Sequence, residues 1–179
     1  MLWTILLVPA VLAIAFLVVA ALQPAAFRYE RHLAIAAPAS VLFGWVNDLH
    51  RFQEWSPWAR IDPAVKNTFT GPTAGVGAAL AWDGNSKVGA GSMTVTESCP
   101  SDLVRIRLEF LRPFRATHTA EFTLRTEEAQ TLVSWSMTGR NNFPAKAFGL
   151  FVNLDRMVGR DFEKGLASLK ALAENRPLS

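Results

Sequence analysis

From Asn67 to Gly139 the chain reads as a succession of short runs suited to β-strands: NTFT, GVGAALAW, VGAGSMTVTES, LVRIRLEF, ATHTAEFTLR and TLVSWSMTG. Turn signals separate them, among them DGNS, Cys99-Pro100-Ser101-Asp102 and TEEAQ. Connections this short join antiparallel neighbours, because a parallel pair needs a crossover of a dozen residues or more. A further run precedes these, since in FRYERHLAI Phe27, Tyr29, Leu33 and Ile35 fall on one face and Arg28, Glu30 and His32 on the other. The expected sheet is seven-stranded and antiparallel. Gly71, Gly75, Gly77, Gly84, Gly89 and Gly91 crowd its middle strands, where they permit strong bending, so the sheet should be curved.

Helical signals flank the strands. In PASVLFGWVNDLHRFQEW, Val41, Trp45, Leu49 and Phe52 recur at helical spacing, and Asn47-Asp48 predicts a break into two short helices. The closing segment, PAKAFGLFVNLDRMVGRDFEKGLASLKALAEN, is opened by Pro144 and carries Phe148, Phe151, Phe162, Leu166 and Leu169 on one stripe. Lys146, Arg156, Arg160, Glu163, Lys170 and Glu174 occupy the other side. One long amphipathic helix is expected, laid across the concave face of the sheet, which makes the class α+β.

The 179 residues leave one domain of ordinary size, 26–179, once the first 25 are set aside as an anchor. Leu2 to Leu22 contains no charged residue, and a helix of that length matches the ~30 Å hydrocarbon core of a bilayer. A cleaved signal peptide competes, given the small residues Val19-Ala20-Ala21. No Lys or Arg precedes the run, however, and it exceeds the ~7–15 residues of a signal core. The expectation is a single-pass membrane protein, with Arg28 and Arg31 placing the following domain on the cytoplasmic side. The 18 basic and 15 acidic residues are interspersed, which argues against nucleic acid as a partner. With Cys99 the only cysteine, no internal disulfide can form.

The order strand, two short helices, six strands, long helix is the helix-grip arrangement of the START-like superfamily. The chain resembles its polyketide cyclase/dehydratase-like branch within the SRPBCC group. Ile35-Ala36-Ala37-Pro38, Asp48 followed by EWSPW, GVGAALAW with Gly84-Asn85, VGAGSMTVTES and GRDFEKGLASLK carry the resemblance. It implies an apolar cavity between sheet and helix, and a hydrophobic small molecule or lipid as the partner. A minority of the superfamily are enzymes, so function must be argued from the site.

No nucleophile elbow, HExxH, Walker loop or GxGxxG is present, and His32, His50 and His118 are too few for a metal centre without carboxylate help. Neither metal nor cofactor is expected. Strand parity turns His118 inward with Ala116, Ala120 and Phe122, and groups Trp135 with Val133 and Met137, and Met93 with Val95. Met93, Trp135 and Met137 read either as ordinary core or as the wall of a ligand site, and His118 either as a backbone-bonded residue or as a ligand contact. Asp155 falls between Phe151 and Phe162 on the expected apolar stripe, where a carboxylate is costly unless paired or protonated. It reads as a salt bridge, with Arg31 as one partner, or as a ligand anchor or general base. Trp55 and Trp58, either side of Ser56-Pro57, are expected to form an aromatic end wall of the cavity.

The expected function is binding of a hydrophobic small molecule or lipid in an internal cavity by Trp55, Trp58, Met93, His118, Trp135, Met137, Phe151, Asp155 and Phe162. One alternative is a cyclase- or dehydratase-type enzyme using Asp155 and His118 as acid and base. Another is a surface interaction module whose interior is filled by its own side chains.

Overall fold

The computed structural model describes residues 2–175, with side chains from Leu7 onward. An N-terminal helix α1 (Leu2–Leu22) leads into β1 (Ala26–Ile35), then α2 (Ala39–Asn47) and α3 (Leu49–Trp55). The strands β2 (Lys66–Thr70), β3 (Ala79–Asp83), β4 (Ala90–Cys99), β5 (Leu103–Arg112), β6 (Ala116–Glu127) and β7 (Gln130–Arg140) follow, and then α4 (Phe143–Gly149) and α5 (Leu154–Asn175). The sheet is seven-stranded, in the order β1-β7-β6-β5-β4-β3-β2. Every pairing is antiparallel, as the short connections require. Only β1 is brought in from a distance, to pair with β7.

The break at Asn47-Asp48 has a local cause. Asp48 is extended, with φ −99° and ψ 114°, and its carboxylate accepts from the backbone N–H groups of His50 (2.8 Å) and Arg51 (3.4 Å). It ends α2 and caps α3 with one residue. Register shifts at Ala90/Gly91 and Val95/Glu97 bend β4, and a bulge of this kind increases twist and curvature. At Gly91 there is no room for a side chain: a Cβ there would run into the backbone carbonyl of Glu109 and lie 2.5 Å from the Trp82 ring.

The C-terminal segment departs from expectation. In place of one helix there are two, because the chain leaves α4 at Gly149 and restarts where Asn153 accepts from Arg156 N–H at 2.9 Å. Phe148 and Phe151 therefore fall outside the stripe that covers the sheet, and are 51% and 77% exposed. Phe151 stacks instead on Phe16 of α1, with ring centroids 5.8 Å apart. The helix that does cross the sheet, α5, buries Phe162, Leu166, Leu169 and Ala173. Near its C-terminus Glu174 accepts from Ala36 N–H at 2.9 Å and Lys170 donates to Ala34 C=O at 3.1 Å, while Arg31 holds its N-terminal turn. Both ends of α5 are thus clipped to β1 or the residues just after it.

Among the described residues no helix is long and apolar enough to cross a membrane. This overturns the expectation of a single-pass membrane protein, and with it the cytoplasmic placement inferred from Arg28 and Arg31. The end of α1 is tied to α4 through Lys146, which donates to Ala21 C=O at 3.1 Å.

Candidate functional site

Between the concave face and α5 the side chains leave a cavity of about 370 Å³. Antiparallel register explains its wall. Leu80, Met93 and Leu108 are successive cross-strand partners on β3, β4 and β5, so their side chains share one face, and Ile106, Ala120 and Met137 form the next row. All six line the cavity. Trp82 and Phe110 continue the wall with centroids 5.8 Å apart in a T-shaped contact. Val158 and Phe162 of α5 form the roof and Trp58 closes part of the side. A volume in the few-hundred Å³ range with an apolar, aromatic lining is that of a small-molecule site.

The two tryptophans around the Ser-Pro turn separate. Trp58 lines the cavity and stands edge-on to Trp135 (5.6 Å) and Phe162 (6.3 Å). Trp55 is 2% exposed and packs edge-on to Phe52 (4.7 Å), Trp135 (5.5 Å) and Phe122 (5.8 Å). Its indole N–H donates to Trp45 C=O at 3.1 Å. Trp55 is a plug of the core beside the cavity, and is not among the lining residues. Trp135 belongs to both regions: it lines the cavity and stacks flat on Phe162 at 4.3 Å and 9°. That stack exists because residue 165 is glycine, where a Cβ would lie 2.6 Å from the Trp135 ring and 3.2 Å from Pro57.

Met93, Met137 and Phe162 are also in the wall, whereas His118, Phe151 and Asp155 are not. His118 does turn to the concave side, opposite Leu108, but it packs against Phe27 (4.9 Å, edge-on) and Phe110 (5.4 Å). Its Nδ1 is buried with no hydrogen-bond partner, and burial pushes the imidazole below its usual pKa. Asp155 lies in the first turn of α5 with its side chain 53% exposed, where the helix dipole favours a negative charge. Both its oxygens accept from Arg31, at 3.2 and 3.1 Å, and Arg31 also donates to Glu163 at 2.9 Å. Asp155 keeps its helical spacing with the buried Gly159, Phe162 and Leu166, but it lies in the first turn of α5, over Arg31 of β1 and outside the cavity, which leaves it at the surface. It borders a separate surface depression of about 480 Å³ with Tyr29, Asn141 and Lys146. His118 and Asp155 do not meet at one substrate position.

Residues 26–174 match the model of the family described as polyketide cyclase / dehydrase and lipid transport. The chain belongs to that family. Its fold recurs in solved structures of low sequence identity. Protein CV1439 from Chromobacterium violaceum is 14% identical with a TM-score of 0.60, over 82% of this chain and 96% of that one. The Aha1 dimer from Colwellia psychrerythraea is 16% identical with a TM-score of 0.57, over 82% and 95%. The di-domain ARO/CYC StfQ from the steffimycin biosynthetic pathway is 14% identical with a TM-score of 0.63, over 85% of this chain and 52% of its own length. At such identities what is shared is the fold. No curated protein sequence matches the chain.

Within this polyketide cyclase / dehydrase and lipid transport domain, several wall residues had escaped sequence reasoning: Trp82, Leu108, Phe110, and the charged pair Lys87 and Arg112. Parity was a sufficient signal for the first three, since Trp82 follows Leu80 by two and Leu108 and Phe110 follow Ile106 by two and four. Arg112, the last residue of β5, continues the same parity, whereas Lys87 reaches the cavity from the turn between β3 and β4, where strand parity gives no guide.

Proposed function

We propose that the protein binds a hydrophobic small molecule or lipid in the cavity beneath α5, through Trp58, Met93, Trp135, Met137 and Phe162, in a domain spanning residues 26–179. The observation that carries this reading is the cavity of about 370 Å³, whose sheet wall is apolar from Leu80 to Met137. An apolar molecule entering it leaves water at roughly 25 cal/mol per Å² of buried surface, and the flexible thioethers of Met93 and Met137 can adapt to its shape. Membership of a family described by lipid transport as well as cyclisation supports the same ligand class. The surface-module alternative is disfavoured, since it requires an interior filled by the chain's own side chains. The cyclase alternative loses its acid-base pair, as Asp155 is engaged by Arg31 outside the cavity and His118 is enclosed by Phe27 and Phe110.

The test is a fluorescence titration of the full chain with N-phenyl-1-naphthylamine, an uncharged apolar probe. Saturable binding at one site per chain, with a change in tryptophan emission, is expected. A folded chain that shows no saturable uptake of this or any other hydrophobic probe would remove the reading.

A further inference from the structure

We infer that the occupant of the cavity is a hydrophobic acid, an apolar body ending in one anionic group that is received by Lys87. This inference rests on the binding reading above and adds the polarity of the ligand. Three charged side chains border the cavity, Lys87, Arg112 and Asp161. Two of them are already satisfied by the protein: Asp161 accepts from Lys164 at 3.1 Å, and Arg112 is paired with Asp83 and donates to Gly84 C=O at 3.3 Å. Lys87 has no carboxylate partner among the described residues.

The two cations lie on one rim. Lys87 sits in the turn between β3 and β4, and the cross-strand partner of Ala90, at the end of that turn, is Arg112. The bond from Arg112 to Gly84 ties the start of the same turn to the end of β5. The turn is held in shape by Asn85, whose side chain accepts from Lys87 N–H at 2.8 Å and whose own N–H donates to Asp62 at 2.7 Å. Away from this rim the sheet wall is apolar and would exact a large desolvation penalty from a buried charge. An acid therefore has one favourable orientation, with its hydrocarbon or ring system toward Trp135 and its anion beside Lys87. A neutral molecule gains nothing from the rim, and a cation is repelled by it.

The experiment uses the full chain loaded with N-phenyl-1-naphthylamine and displaces the probe with dodecanoate or with dodecan-1-ol, which share a chain and differ in charge. Because the alcohol is intrinsically the more hydrophobic, the diagnostic quantity is the ratio of the two displacement constants and how it changes on mutation. Lys87→Gln is expected to shift that ratio against dodecanoate about fivefold, the scale of a partly exposed ion pair. Arg125→Gln, which removes an exposed cation near the far end of β6, should leave the ratio where it is in the unmodified chain. If the probe binds and both displace it, but the ratio is the same with and without Lys87, the ligand is not selected for charge and the inference is overturned while the binding reading stands. If the probe does not bind saturably, the binding reading fails and takes the inference with it.

Discussion

Trp55 and Trp58 stand three residues apart on either side of one turn, yet they end in two different halves of the concave face. The half around Trp55 is solid: Phe52, Trp55, Phe122, Trp135 and Phe162 interlock with centroids 4.3 to 6.3 Å apart, mostly edge-on. The half bordered by Trp58 is hollow, walled by Leu80, Met93, Leu108 and Met137. The helix accounts for the difference. Along its C-terminal half α5 seats Gly165, Leu166, Leu169 and Ala173 in the core, whereas its N-terminal half contributes Met157, Val158 and Asp161 to the cavity rim and roof. A single helix therefore stabilises the domain with one half and makes room for a ligand with the other.

Breaking the solid half should have the largest effect. Trp55→Ala removes a fully buried indole and the hydrogen bond to Trp45, and is expected to cost about 3–5 kcal/mol, measured by denaturant unfolding. Gly165→Ala should cost about 1–3 kcal/mol by driving a methyl group into the Trp135–Phe162 stack. If that variant instead melts like the unmodified chain, α5 is not held at its seat by this contact. At the ion pair outside both halves, Asp155→Asn should cost no more than about 1 kcal/mol, since the carboxylate is 53% exposed and Arg31 retains Glu163. A larger loss would mean that the N-terminal turn of α5 depends on this pair far more than its exposure implies.

The smallest effect is expected from pH. His118 has its pKa depressed by burial below the ordinary value of 6.5, so the native state resists a proton that the unfolded chain accepts. Its contribution to stability is therefore constant above about pH 6.5 and declines as the pH falls below it. His118→Gln should flatten that acidic limb of the stability profile. An unaltered limb would show that the imidazole takes up its proton equally in the folded and unfolded states.

The strands were legible because each satisfies a period-two pattern between recognisable turns, and the break between α2 and α3 because Asp48 is a strong capping residue. What a single sequence concealed was the break before α5. Its signal is present in Gly149 and Asn153, a helix stop and an N-cap four residues apart, but an aromatic stripe drawn through Phe148 and Phe151 overrode it. That break takes Phe151 off the stripe, whereas Asp155 stays on the α5 face of Phe162 but in the first turn, beyond the cavity. Trp55 was misjudged for a different reason: whether an aromatic ring plugs a core or lines an opening depends on what stands on its other side, and here that is Phe122 and Trp135, more than sixty residues away in sequence. The apolar run of α1 was read from its length and lack of charge, without the contacts that Phe16 and Ala21 make with Phe151 and Lys146.

The distinction between a solid and a hollow half is best tested by filling the hollow one. Leu108→Trp places an indole into the cavity at the level of Met93, its cross-strand partner, where it adds apolar bulk. Titrating this variant with N-phenyl-1-naphthylamine, alongside a denaturant melt of the same sample, should show a folded protein of near-unchanged or greater stability whose probe binding has fallen at least tenfold. Unchanged binding in the folded variant would place the probe elsewhere on the molecule, and a large loss of stability would show that no such space lies beneath α5.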